Sequence, residues 1–215
     1  MSVPALLDLL APGLARAAGP MWRAVVTPAA YRLWLATTHD LTRATTGLLE
    51  EAAERSACLG EAGLAAWFAG QLDEERGHGS WVAADYAAAG GDPGTLAERV
   101  PCPATARLVG AQHYYLRHAH PVALLGHIAL LERHRPGRTL AAALARQTGL
   151  PPGAFRTLTG HVAPPAGRRA ALEALLARPP AGERGRRVLT AGALATAEGL
   201  VELFSALRTE LEASP

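Results

Sequence analysis

Runs of alanine and leucine at helical spacing, cut into lengths by proline and glycine, leave this chain little choice of fold. No stretch of useful length alternates apolar and polar residues as a half-buried strand does. A first helix is expected over residues 4–18, ended by Gly19-Pro20. A long one follows Thr27-Pro28, an N-cap and first-turn pair, to about residue 57. A third covers residues 60–89, stopped by Gly90-Gly91-Asp92-Pro93. Helices over residues 104–118 and from Pro121 to before Pro136 come next, then a short one over 139–147. One or two turns at 152–158, a helix over 166–177 and a last long one over 189–213 complete the set. Pro179-Pro180-Ala181-Gly182 is the best linker, but one helix beyond it is too little for a domain. The expectation is a single all-α domain spanning residues 1–215, of about seven to nine helices.

Composition supports helices and removes several chemistries. Aromatic residues make up only 5% of the chain, too few for the β-branched and aromatic surfaces that sheets favour. No lysine occurs, which excludes a Schiff base, a pyridoxal phosphate anchor and a P-loop. The net charge of +2 is small, and the one dense basic cluster is Arg184, Arg186 and Arg187, so no nucleic-acid surface is expected. Cys58 and Cys102 form neither a disulfide framework nor a C-x-x-C knuckle. Leu6, Leu7, Leu9 and Leu10 lack a basic region ahead of them and are interrupted by Asp8 and Pro12, so neither a signal peptide nor a membrane span is expected there. The protein is expected in the cytoplasm.

Four positions suggest metal chemistry. Glu75 and His78 stand three apart, so on one helix a carboxylate and an imidazole point the same way and can grip one ion. The run Asp73–Arg76 reads equally well as a solvated face. Asp85 falls on the His78 face, where it could orient the imidazole. Glu132 follows Ile128 on an apolar stripe, where a carboxylate must be paired, protonated or metal-bound unless it escapes to water at the helix end. Gly126 within that helix is costly and expected to make room for something. His161 follows Gly160 and reads as a ligand or as a satisfied core histidine. Most of His113, His118, His120, His127 and His134 are expected to be solvated, with His120-Pro121 a helix-entry device, His127 and His134 an exposed pair, and His39 a weaker cavity candidate. No G-x-S-x-G elbow is present.

Three blocks together resemble the haem-oxygenase-like non-haem iron oxidases, the iron-containing redox enzymes. They are Glu75-Arg76-Gly77-His78 with Trp81, Asp85 and Gly90; His120-Pro121 through Gly126 to Glu132; and Leu150-Pro151-Pro152-Gly153-Ala154-Phe155 to Leu158 and His161. The resemblance covers roughly residues 28–176 and implies the fold of haem oxygenase and the TenA/PqqC proteins. It also implies dioxygen chemistry at iron on small carboxylates, amino acids or amines of natural-product pathways. On it, Glu75 or Gln71, His78, Glu132 and His161 fall on metal-ligand places.

The last ligand block departs from that pattern. Where the family places an aspartate and a second histidine after the first, this chain has Pro165 and Arg168. Proline cannot ligate and Pro164-Pro165 breaks a helix, while an arginine repels iron. The expectation is therefore at most one ferrous ion per chain, on Glu75, His78, Glu132 and His161, with Gln71, His39 and Arg168 on the substrate side. The alternative is a metal-free member, either a cofactorless enzyme or a non-catalytic binding protein, in which Arg168 holds a substrate carboxylate. A small-molecule substrate and a homodimer are the partners expected.

Overall fold

Eleven α-helical segments and one 3₁₀ turn make up the computed structural model, which describes residues 2–160 and 166–213. In chain order they are α1 (Val3–Ala24), α2 (Pro28–Cys58), α3 (Ala62–Glu75), α4 (His78–Ala88), α5 (Gly94–Ala97), α6 (Pro103–His118), α7 (Ala123–Arg133) and α8 (Arg138–Thr148), then the 3₁₀ turn Pro152–Phe155, α9 (Arg156–Thr159), α10 (Ala166–Ala177) and α11 (Gly182–Ala213). The all-helical expectation holds, with more segments than the seven to nine expected because α5 and α9 are single turns and one long helix divides. No strand occurs among the described residues.

Three boundaries differ for physical reasons. The first helix does not stop at Gly19-Pro20 but runs through Pro12 and Pro20 to Ala24. Burial on both sides outweighs the local cost of each proline: Leu14 and Ala18 lie between them in the core, and Met21 and Val25 beyond are fully buried. The third expected helix breaks at Arg76-Gly77 into α3 and α4, so His78 opens a helix rather than lying inside one. The last helix begins at Gly182, right after the linker, where Ala181 and Gly182 both take positive φ and reverse the chain.

Two helices organise the core. α2 carries α3, α4 and α6, while α11 packs on α1, α6 and α7. Leu189, Ala193, Thr196, Leu200, Leu203 and Leu207 form the buried stripe of α11, at three- and four-residue steps. That helix is long and apolar enough by length and composition to cross a membrane, but here its apolar stripe is buried in the bundle.

The role of Gly126 is now visible. A Cβ there would come within 2.3 Å of the Leu189 carbonyl oxygen, and a Cβ on Gly192 within 2.3 Å of the Ala123 carbonyl oxygen. The two glycines let α7 and α11 meet backbone to backbone. The room Gly126 makes is for a helix, not a ligand. Beside this crossing His127 is 4% exposed, so it is no solvated partner of His134. The Thr196 hydroxyl donates to the Gly192 carbonyl (2.7 Å) and accepts from Gln112 Nε2 (3.1 Å), so at 3.0 Å the His127 Nδ1–H must donate to it. Burial lowers the His127 pKa to about 4, and the ring stays neutral.

Candidate functional site

The break at Gly77 preserves the three-residue step that matters. With both flanking residues of the turn in helical φ/ψ, the chain changes direction while Glu75 and His78 stay side by side. The His78 Nδ1–H donates to Glu75 Oε2 at 2.6 Å, and Gln71 Nε2 donates to Glu75 Oε1 at 3.2 Å. Both side chains are about one-seventh exposed, at 15% for His78 and 14% for Glu75. Burial pushes the Glu75 carboxyl up, but the hydrogen bond and charge of His78, with Arg135 and Gln71, hold it below the usual carboxylate value. The His78 ring also lies 4.6 Å from that of Trp81.

Glu132 joins this group from α7. Its side chain is 20% exposed, and the nearest cation, Arg135 Nη2, stands 4.0 Å from Oε1. Burial raises the Glu132 carboxyl, Arg135 and Arg133 oppose, and Glu74 and Glu75 raise it further. Glu132 is thus a partly buried carboxylate close to two others, a position that favours a proton or a cation.

The remaining expected positions divide. Gln71 is buried, with its Oε1 lacking a hydrogen-bond partner. Arg168 does not stand open towards a cavity. It forms an ion pair with Glu74 and packs against Gly70, where a Cβ would meet its Nη2 at 3.4 Å. His39 buries an unpartnered Nδ1, and burial lowers its pKa. His161 and Pro165 lie outside the described residues.

Asp85 does not orient His78. Its carboxylate, fully buried, accepts from the backbone N–H of Arg156 (3.1 Å) and Thr157 (2.6 Å), capping the short α9. The Tyr31 hydroxyl donates to the Ala154 carbonyl at 3.1 Å and the Tyr31 ring packs on Phe155. These anchors fix the segment that leads into Gly160 and His161.

A cavity of about 230 Å³ opens beside Glu75. Trp22, Trp34, Leu158, Leu200 and Phe204 supply its apolar walls, and Arg135 and His134 line it near Glu75. α2 contributes Thr38, Thr42 and Thr45, whose hydroxyls donate to the carbonyls of Trp34, Thr38 and Leu41 at 2.9, 3.0 and 2.9 Å. Their donors are spent on their own helix, so this wall offers methyl groups and no hydrogen-bond donor. Trp22 and Arg135 were not legible as site residues, since their placement depends on the continuation of α1 past Pro20 and on the end of α7 before Pro136.

An iron ion meets a donor set suitable in kind and short in number. Glu75, His78 and Glu132 are the oxygen and nitrogen donors that iron accepts, and among the described residues Glu132 has no hydrogen-bonded cation. Among the described residues no group of three is arranged to hold a metal. Among the described residues the donors suit iron in kind, but they do not by themselves complete a site.

A helical bundle with a largely buried carboxylate–imidazole pair, its carboxylate at an apolar cavity, has the architecture of the carboxylate-bearing helical bundles. The chain belongs to the iron-containing redox enzyme family, whose model matches residues 62–198. Among solved structures it is similar to a domain of unknown function with a haem oxygenase-like fold from Shewanella denitrificans OS217, at a TM-score of 0.81 and 16% identity, covering 99% of this chain and 94% of that one. At that identity the likeness shows the fold. No curated protein matches the chain. Family and fold are those that the three sequence blocks implied.

Proposed function

We propose that this protein oxidises a small amine, amino-acid or carboxylate substrate with dioxygen, at a site holding at most one ferrous ion, as part of natural-product biosynthesis. The observation that carries the reading is the largely buried Glu75–His78 pair, of which Glu75 lines an apolar cavity. Glu75, His78 and Glu132 would hold the ion, with His161 as the further donor that the family resemblance supplies. Iron bound there would supply the binding and reduction of dioxygen. The chain's own part is to orient and exclude. Glu75 fixes the His78 ring, Asp85 and Tyr31 pin the segment before His161, and the tryptophan walls keep water from the substrate. We place the protein in the cytoplasm as a homodimer, a reading that rests on sequence.

The competing reading is a metal-free member of the family. It is favoured by one observation: both Glu75 oxygens are already engaged, by Gln71 and His78. Elemental analysis after anaerobic reconstitution with ferrous iron separates the two. The expected value is close to one iron per chain, lost on His161→Ala. Zero in the wild type would establish the metal-free reading, and two would show replacement ligands.

A further inference from the structure

Resting on the proposal that the protein is a homodimer, we infer that its two copies pair two-fold through the α1–α11 face, α1 of each lying over α11 of the other. Between these helices runs a groove of about 390 Å³, lined by Leu10, Gly13, Leu14, Ala197, Glu198 and Val201. The small residues Gly13 and Ala197 keep it open. A Cβ on Gly13 would meet nothing within 4 Å, so no contact inside the chain requires glycine there. Exposed apolar side chains stand around the groove. Leu9 is 68% exposed, Val201 47% and Leu194 39%, three of the seven large hydrophobic side chains exposed among the described residues. Helix geometry groups them, since Leu9 lies one turn before Gly13 and Leu194 one turn before Glu198. Single exposed apolar residues mean little, but a cluster beside a groove marks an interaction surface.

The charges on this face select a second copy as its occupant. Arg16, one turn after Gly13, and Glu198, in the groove wall, are both exposed, and neither makes an ion pair with a described residue. A face with one free cation, one free anion, a groove and apolar side chains beside it is complementary to itself. In a two-fold pairing, if Arg16 meets the partner's Glu198, then Glu198 meets the partner's Arg16. Laying α1 over α11 makes both pairs and covers Leu9, Leu194 and Val201 on both copies. A wholly acidic or wholly basic partner would set one of the two charges against its like. The size also suits a dimer. α1 has 22 residues, so the face is about 30 Å long and, at two helices, about 20 Å wide. That projected area of roughly 600 Å² approaches the ~800 Å² per partner that a stable interface buries.

Sedimentation velocity of the purified chain at micromolar concentration tests this, with circular dichroism confirming that each variant keeps its helices. The wild type is expected to be a dimer. Val201→Glu puts a second carboxylate beside Glu198 in the groove and should weaken the dimer by at least about tenfold. Arg16→Glu and Glu198→Arg each set like charges face to face and should weaken it by about tenfold. Combining the two reversals restores both pairs, so the dissociation constant should return to within about threefold of the wild-type value. Leu59→Glu is the control: Leu59 is exposed just beyond α2, away from this face, and its variant should stay dimeric. A dimer that withstands Val201→Glu and both single reversals overturns the α1–α11 surface while the homodimer stands. A double reversal no tighter than the single ones overturns the Arg16–Glu198 pairing, and the two-fold arrangement with it. A monomeric wild type overturns the homodimer and the inference together, and leaves this face to a different protein.

Discussion

The Asp85 carboxylate accepts the backbone N–H of Thr157 at 2.6 Å, tying α4 to the segment that precedes His161. A fully buried carboxylate with a second amide, that of Arg156, at 3.1 Å is an N-cap supplied from another helix rather than from the chain just before α9.

Asp85→Asn is therefore expected to cost about 1–3 kcal/mol, because one amide N–H would face another and the charge-assisted character is lost. Denaturant unfolding followed by circular dichroism gives that number. Asp85→Asn should also lower iron retention in the reconstituted protein, and Tyr31→Phe should do so less. An Asp85→Asn protein as stable as wild type would remove Asp85 from its capping role.

The crossing of α7 and α11 supports a second prediction. Gly126→Ala must drive a methyl group into the Leu189 carbonyl, which is backbone and cannot rotate away. The helices would have to separate, at a cost of about 1–3 kcal/mol. Gly47→Ala in α2 is the control, since nothing lies within 4 Å of the added Cβ. There, alanine should stabilise by about 0.5–1 kcal/mol through helix propensity. Equal midpoints for the two variants would contradict the tight crossing.

Much of the fold was legible because each helix carries its own signal. Thr27-Pro28 marks the start of α2, and the stretch from residue 166 to 177 reads as one helix and forms one, α10. What was not legible was set by partners far along the chain. Pro20 looks like a stop until Met21 and Val25 are seen in the core. Gly126 reads only as room for something until Leu189 is placed against it. The site divides in the same way. The Glu75–His78 pairing follows from local spacing, whereas Asp85 needed Thr157, and Arg168 needed Glu74, before its contact could be read.

The buried His127 makes acid sensitivity predictable. Its pKa is about 4 in the folded chain, against about 6.5 when unfolded. The unfolded state then binds the extra proton first, so stability is whole above about pH 6.5 and falls as pH drops towards 4. The total loss from this group is on the order of 3 kcal/mol, at no more than about 1.4 kcal/mol per pH unit. Burial lowers His39 and His134 as well, adding loss of the same sign. Urea unfolding at pH 7.0, 6.0 and 5.0 should show a declining midpoint in the wild type. His127→Gln, whose amide can still donate to Thr196, should flatten that decline, and an unchanged slope would show that His127 does not carry it.

The last prediction concerns the pair that carries the proposed function. Glu75→Ala takes the carboxylate from His78 Nδ1 and a donor from the metal position together. Loss of an outer partner of a metal-binding histidine costs roughly 10–100-fold in affinity, and loss of a donor adds to it. Iron affinity should therefore fall by at least about 100-fold, read by competition with a ferrous chelator under anaerobic conditions. Glu75→Gln separates the contributions. Its amide oxygen can still accept from His78, so ring orientation should survive while the charge on the ion is lost, giving an affinity between wild type and Glu75→Ala. Gln71→Ala removes only the hydrogen bond to Glu75 Oε1, and its effect should stay below tenfold. If all three variants hold iron as the wild type does, the metal is bound elsewhere and the Glu75–His78 pair is a structural ion pair.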